Sequence, residues 1–361
     1  MDYLNKYLLS DFTIFCLLCY IIYTYFIHPL LEKQLISQVR PDKTPLTTDS
    51  RKETNADAAG DILAGLKQKQ KKLPTKYFYD KQGSQLFDEI CKLEEYYPTR
   101  TEFSILQTNI TEIVELIKPR SVMIELGSGS STKTKILLNH LDDLAAYIPV
   151  DISSQYLNQS AQSLRLIYPD LKIVPLTADY TKNFILPDVG DPNAKKLVFF
   201  PGSTLGNFYP NEAIAFMQNM RKIIGSCGGV LIGIDLQKDP QVLNNAYNDS
   251  KGVTAAFNLN MLNHINNTVD ADFDLAGFKH YAFYNQVEGR IEMHLISQFN
   301  QSVHIGGEEI SIKKDEAILT EVSYKYTLEI FNNMVTEAGF TTKKVWLDPQ
   351  KYFSVQYLTN G

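Results

Sequence analysis

Two glycines and three acidic residues in the middle of this chain are spaced for chemistry. The stretch "SVMIELGSGSSTKTKILL", residues 121–138, carries an apolar run into Glu125, Gly127 and Gly129. The next apolar run, "AAYIPVDIS", ends on Asp151, and a third, "KIVPLTADY", on Asp179. Glycines at the end of a buried strand let the backbone turn tightly and approach a ligand. A carboxylate ending the neighbouring strand can accept hydrogen bonds from both hydroxyls of a ribose. Three cofactors compete for such a turn. A phosphate-binding loop needs G-x-x-x-x-G-K-[ST]; Lys133 and Thr134 fit, but Thr132 stands where the second glycine belongs. A dinucleotide fingerprint needs G-x-G-x-x-G, and Thr132 again replaces a glycine. S-adenosylmethionine carries no phosphate, so losing that glycine matters little to it. It asks for a strand-end acid, a glycine turn and a second acid one strand on. The spacing therefore favours S-adenosylmethionine, with Asp151 at the ribose and Asp179 at the adenine edge.

These residues need a sheet to hold them. From about residue 120, apolar runs alternate with segments of helical spacing: "SQYLNQSAQSLRLIY" after Asp151, then "KLVFFPGST", "NEAIAFMQNMRKII" and "GGVLIGIDL". That rhythm predicts an α/β fold with a parallel, doubly wound sheet. It breaks after Asp235, where a polar and aromatic helical segment and several strand-like runs follow. It resumes near the C-terminus with "TLEIFNNMVTEAGF" and two short strands, "KKVWLD" and "FSVQYL". The sheet is thus expected to be interrupted over about residues 238–325.

The chain has 361 residues, 44% of them hydrophobic and 21% charged, which suits one large or two ordinary globular domains. A net charge of -6 offers no electrostatic footprint for nucleic acid. Cys16 and Cys19 lie in an apolar run, Cys91 and Cys227 stand alone, and the pattern implies neither a disulfide framework nor a zinc site. The histidines are too scattered to bind a metal. "FTIFCLLCYIIYTYFIHPLL", residues 12–31, is long and apolar enough to be expected as a single transmembrane anchor. Lys33, Arg40, Lys43, Arg51 and Lys52 follow it, against Lys6 before it, which places the remainder in the cytoplasm. Residues 37–60 read as a polar linker, and a monomer is expected.

Six segments in order carry a family resemblance: "KYFYDKQGSQLFDEICKLEEYYPTRTEFSIL", "IELGSGSSTKT", "PGSTLGN", "GIDLQKDPQVLNNAYNDSKGVTAAFNLNMLNHIN", "RIEMHL" and "LTEVSYKY". From about residue 60 onward the chain resembles the histidine Nα-methyltransferases of ergothioneine biosynthesis. The resemblance implies a Rossmann-like class I methyltransferase sheet, residues 101–237 plus 326–361, and an α+β substrate-binding domain, residues 61–100 plus 238–325. It implies three methyl transfers from S-adenosylmethionine to the α-amino nitrogen of L-histidine, giving hercynine. Related enzymes methylate other amino acids. By position, Gly127, Gly129, Lys133, Asp151, Asp179 and Tyr180 match the cofactor contacts. Tyr96, Asn207, Tyr247, Met293, Glu321 and Ser323 match the histidine contacts, and carbonyls near Gly202 and Thr204 would face the amine. Asn207 and Tyr247 suit a carboxylate, and Glu321 suits an imidazole N–H. No residue is assigned as general base. Glu94, Pro201 and Tyr324 depart from the family pattern and are expected at the pocket rim.

Overall fold

The computed structural model describes residues 55–118, 120–129 and 132–360. The expected anchor at 12–31, with Cys16 and Cys19, lies outside the described residues, as does the expected linker up to residue 54. No helix among the described residues is long and apolar enough to cross a membrane.

Along the chain, α1 (Asn55–Leu66), α2 (Lys81–Ile90) and α3 (Tyr97–Ile117) come first. Then β1 (Ser121–Leu126), α4 (Thr132–Leu138), β2 (Leu144–Asp151), α5 (Ser154–Ile167), β3 (Leu176–Thr177), β4 (Lys195–Phe200), α6 (Pro210–Ile224) and β5 (Gly229–Asp235) alternate. After them come α7 (Pro240–Ala246), α8 (Val253–Val269), β6 (Phe278–Asn285), β7 (Arg290–Ser297), β8 (Gln301–Ile305), β9 (Glu308–Ile312) and β10 (Ala317–Tyr324). The chain closes with α9 (Leu328–Glu337), β11 (Phe340–Leu347) and β12 (Phe353–Asn360).

Seven strands form the main sheet, in the order β11-β12-β5-β4-β1-β2-β3. The first five strands of the chain pair in parallel, and β12 and β11 add antiparallel at the edge. The sheet is therefore mixed rather than wholly parallel, because the short turn between β11 and β12 leaves room only for a hairpin. β1 and β5 are buried at every position, as central parallel strands must be. Alternation along β1 sends Val122, Ile124 and Leu126 to one face and Met123 to the other, so each face of the sheet has its own apolar core. Glu125 falls in the Met123 register, which explains its burial.

A third core joins α1, the segment to Tyr97, and residues 243–318, with β10, β7 and β6 as a three-stranded antiparallel sheet. α1 begins at Asn55, inside the stretch expected to be linker. Ala58, Ala59, Ile62, Leu63 and Leu66 make a buried stripe at helical spacing, which outweighs the polar residues between them. The expected third strand shrinks to Leu176–Thr177, so Asp179 sits in the loop beyond it.

Candidate active site

β1 is flanked by β2 on one side and β4 on the other. Strand order reverses there, and ligands of such sheets bind at the carboxyl ends beside this reversal. The expected cofactor residues meet at that edge. Gly127 and Gly129 take φ of 72° and 46°, a conformation that favours glycine. A Cβ on Gly127 would lie 3.6 Å from the Tyr180 ring. Asp151 holds the turn: its Oδ2 accepts from the Gly129 N–H at 3.3 Å and its Oδ1 from the Ser153 N–H at 2.9 Å. Burial raises its carboxyl from the usual range while these N–H groups oppose the rise. Asp179 accepts from the Thr181 N–H at 3.0 Å. Tyr180 packs edge-on against Phe200, ring centroids 5.8 Å apart.

Glu125 does not face this edge. Its Oε2 accepts from Thr134 Oγ1 at 2.6 Å and from the Tyr147 hydroxyl, and burial pushes it up to about 7. It braces α4 and β2 against β1. Lys133 is likewise engaged, by the carboxylate of Glu102, a wholly buried residue of α3. Glu102 also accepts from the Gly202 N–H at 2.8 Å, so this ion pair ties the loop after β4 to α4. Gly233 makes the space, since a Cβ there would fall 2.0 Å from Glu102 Oε1.

A cleft of about 740 Å³ opens at this edge. It is lined by Asp179 and Tyr180 on one side, by Thr204 and Asn207 on the loop after β4, and by Tyr79 and Glu321 on the other side. Gly202 and Ser203 take φ of 80° and 58° in succession. A non-glycine residue held there is strained by roughly 1–3 kcal/mol. Ser203 is kept there by the Asp235 N–H, which donates to its Oγ at 2.9 Å. Thr204 Oγ1 donates to the Pro201 carbonyl at 3.0 Å, closing the turn.

Glu321 owes its direction to a bulge. In the pairing of β10 with β7, Leu319 faces His294 and Glu321 faces Met293, leaving Thr320 as the extra residue. Thr320 Oγ1 donates to the Met293 carbonyl at 3.0 Å. Regular alternation would put Glu321 on the Leu319 face; the extra residue turns it to the opposite one. Ser323 shares that face, and Met293 stands directly across from Glu321. The Glu321 carboxylate has no hydrogen-bond or ion-pair partner among the described residues, although the residue is only 9% exposed. Burial pushes it up to about 7, with Lys325 opposing.

Beneath it lies a charged cluster. Lys325 Nζ donates to Asp235 Oδ2 at 2.9 Å, to Ser323 Oγ at 2.8 Å and to the Tyr247 hydroxyl at 3.1 Å. The Tyr247 hydroxyl donates to Ser323 Oγ at 3.1 Å. Tyr96 packs edge-on against the Tyr247 ring at 6.2 Å. Tyr97 donates to Asp235 at 2.7 Å, and Lys238 also pairs with Asp235. Burial is the largest influence on all three charges. The two ammoniums still hold Asp235 below the usual carboxylate range, Asp235 holds Lys325 above its usual value, and burial pulls Lys238 down to about 8.

Residues 58–360 match the family described as "histidine-specific methyltransferase, SAM-dependent". The chain belongs to that family. It is 39% identical to a histidine N-alpha-methyltransferase of Mycolicibacterium smegmatis over 82% of this chain and 92% of the relative. It is 30% identical to ergothioneine biosynthesis protein 1 of Neurospora crassa, over 78% of this chain but 32% of that longer protein. An L-tryptophan methyltransferase of Psilocybe serbica is 25% identical over 78% of this chain and 86% of the relative. The fold is that of the class I SAM-dependent methyltransferases, and this histidine-specific methyltransferase is an enzyme that uses S-adenosylmethionine. The turn fits that cofactor. Ser128 Oγ is buried between the two glycines with no hydrogen-bond partner among the described residues. The Asp151 carboxylate accepts from backbone N–H groups and keeps acceptor capacity for a ribose hydroxyl.

Tyr324 does not take the expected place at the rim of the histidine side. It lies on the β10 face opposite Ser323, packed in the sheet core with its hydroxyl accepting from Arg290 at 2.6 Å. Glu94 is exposed and Pro201 buried. Sequence reading missed Glu102, Tyr79, Asp235, Lys238 and Lys325. The signal for Lys325 was present in "TEVSYK", where Glu, Ser and Lys alternate at strand spacing.

Proposed function

We propose that the cleft binds S-adenosylmethionine against the ends of β1 to β3 and L-histidine against β10. It then methylates the α-amino nitrogen three times to give hercynine, the histidine betaine of ergothioneine biosynthesis. The observation that carries this reading is the buried, unpartnered carboxylate of Glu321 in the same cleft as Asp179, Tyr180 and Asn207. A carboxylate that faces the cleft with no protein donor is open to a ligand N–H, and a ligand that displaces water without supplying one leaves it unpaired.

In this reading Asp151 accepts the ribose hydroxyls, Tyr180 and Asp179 flank the adenine, and Gly127 and Gly129 admit the backbone approach. Lys133 acts through Glu102, holding the Gly202 loop. When bound, the cofactor supplies a methyl group on a sulfonium, ready for direct displacement. The chain's own part is position. Asn207 takes the substrate carboxylate, Glu321 and Ser323 take the imidazole, and Tyr247, Met293 and Tyr96 wall the pocket. Carbonyls at Gly202 and Thr204 orient the amine while its proton leaves to water. Aromatic faces such as those of Tyr79 and Tyr247 favour the growing cation. We assign the substrate-binding domain to residues 61–100 plus 238–325 and the methyltransferase domain to 101–237 plus 326–361, with Gly202, Thr204 and Asn207 reaching the substrate from the latter.

The relative that acts on tryptophan supports a second reading, another amino acid as substrate. Ser323 beside Glu321 weighs against it, because an indole can give its single N–H to Glu321 but has no bare ring nitrogen for the Ser323 hydroxyl. Incubating the full chain with S-adenosylmethionine and an equimolar mixture of amino acids, followed by mass spectrometry, tests both. Trimethylated histidine as the dominant product is expected; a different methylated amino acid would overturn the substrate. The apolar run at 12–31 is read as an anchor holding the cleft at the cytoplasmic face of a membrane. Full chain that stays with membranes through a high-salt wash supports it, and release into the supernatant contradicts it.

A further inference from the structure

The buried charge cluster constrains which protons the histidine side can offer. An ammonium has three N–H donors and no acceptor. Those of Lys325 are all spent: on Asp235 Oδ2, on Ser323 Oγ and on the Tyr247 hydroxyl. Ser323 Oγ accepts a second bond from the Tyr247 hydroxyl. A phenol is the stronger donor of that pair and an alcohol the better acceptor, so the proton runs in that direction. A hydroxyl has two lone pairs and one proton. Both lone pairs of Ser323 are then filled, and its own proton is all that it has left for a ligand. Glu321, two residues earlier on the same face, is the reverse when ionised: it accepts and cannot donate.

We propose that Lys325 is a positioning and specificity residue that makes Ser323 a pure donor, so that Ser323 and Glu321 together select the neutral imidazole in one tautomer. This rests on the reading of the cleft as a histidine site. The ring nitrogen facing Glu321 carries the proton, and the nitrogen facing Ser323 is bare. An imidazolium, with two N–H groups, would set a donor against a filled oxygen. A side chain lacking the bare nitrogen would leave the Ser323 proton unpaired. Tyr247 also gives its proton away within the cluster, so Asn207 becomes the main side-chain donor to the substrate carboxylate.

The arrangement is anchored on every side. Asp235 at the end of β5 fixes Lys325, with Lys238 and Tyr97 on the same carboxylate. The Tyr247 ring lies under the ammonium, with Lys325 Nζ 5.1 Å from its centroid. The Tyr247 carbonyl is paired with His280 Nε2 at 2.9 Å. Lys325 itself is 3% exposed. The charged and titratable groups facing it are therefore Asp235, Lys238, Tyr97, Tyr247 and Glu321.

Nitrogen-15 NMR of ring-labelled histidine, bound to the full chain with S-adenosylhomocysteine, tests the proposal. The pH would be 8, above the value of about 7 to which burial pushes Glu321, so that its carboxylate is ionised. One protonated and one bare ring nitrogen, fixed in a single tautomer, are expected, whereas the free ring exchanges between its two tautomers. Two protonated nitrogens in the bound state would overturn the proposal. Histidine that does not bind at all would instead overturn the reading of the cleft. In Lys325→Met the bound ring is expected to lose its fixed tautomer, with KM for histidine raised about 10-fold and kcat changed less. Should that variant not fold, Tyr247→Phe frees one Ser323 lone pair without touching Asp235, and the same loss of tautomer is expected. A single tautomer kept in either variant would show that Ser323 needs no help from the cluster.

Discussion

The two sides of the cleft are built in opposite ways. At the ends of β1 and β2, the polar groups are backbone N–H donors and half-buried carboxylates, held by glycine turns with positive φ. Along β10, they are side chains: a buried carboxylate, two hydroxyls, and two lysines sharing one aspartate. The first side approaches a cofactor common to many enzymes, and shape with two carboxylates is enough for it. The second must tell one amino acid from others, and buried polar groups left unpaired by the wrong ligand give that discrimination. Such groups also cost stability when empty, so the second side needs its own compensation, which Asp235 supplies.

Breaking the compensation should have the largest effect. Asp235→Asn leaves Lys325 and Lys238 buried without a counter-charge, and a loss of about 3–5 kcal/mol in unfolding free energy is expected. Chemical denaturation reads it; a loss under about 1 kcal/mol would show that the cluster is less dry than its burial implies. Next comes Glu125, which sits under the cofactor turn yet behaves like the substrate side. Burial pushes its folded carboxyl up to about 7 from an ordinary 4.5. The native state keeps that proton longer than the unfolded chain. Stability should therefore fall as pH rises from about 4.5 to about 7, then level off. Glu321 has the same sign and window. Asp235, held low, gives the opposite slope at more acid pH. Glu125→Gln should flatten the fall by up to about 3 kcal/mol, seen in denaturation at pH 5 and pH 8. An unchanged slope would place the titration elsewhere.

Asp151→Asn sharpens the contrast from the other side. It should weaken cofactor binding about 10- to 100-fold. Histidine affinity at saturating cofactor should stay within about 2-fold. Calorimetry on both ligands decides; a parallel loss of histidine binding would join the two sides. The smallest effect belongs to Tyr324→Phe. It removes one hydrogen bond from Arg290 in the sheet core, worth about 1 kcal/mol, and leaves the amino-acid preference unchanged. A change of preferred substrate would mean that the opposite face of β10 also reads the ligand.

The same contrast explains what could be read from the sequence. Gly127, Gly129, Asp151 and Asp179 recur at strand ends, and strand period with turn chemistry is legible in one dimension. The alternation of strands and helices gave the sheet, though not the antiparallel edge, since a short strand's direction depends on its partner. Glu125 shows the limit: its type and place suggested a ligand contact, while its register on β1 buried it against Tyr147. On the substrate side, residues far apart in sequence converge. Asp235, Tyr247 and Lys325 meet only because the residues after β10 run beside the end of β5, where Leu236 and Tyr326 form a parallel bridge, and no local pattern encodes that. Glu321 and Ser323 were reached through family resemblance alone. Their direction depends on the bulge at Thr320, which alternation would have placed wrongly.

The most direct test of the account is Glu321→Gln, measured for histidine and for S-adenosylmethionine in the same preparation. The amide keeps size and an acceptor oxygen but loses the charge that pairs with a ring N–H. The account predicts that kcat/KM for histidine falls about 10- to 100-fold while cofactor affinity is unchanged. Equal losses for both ligands, or full activity on histidine, would contradict the claim that this carboxylate reads the substrate.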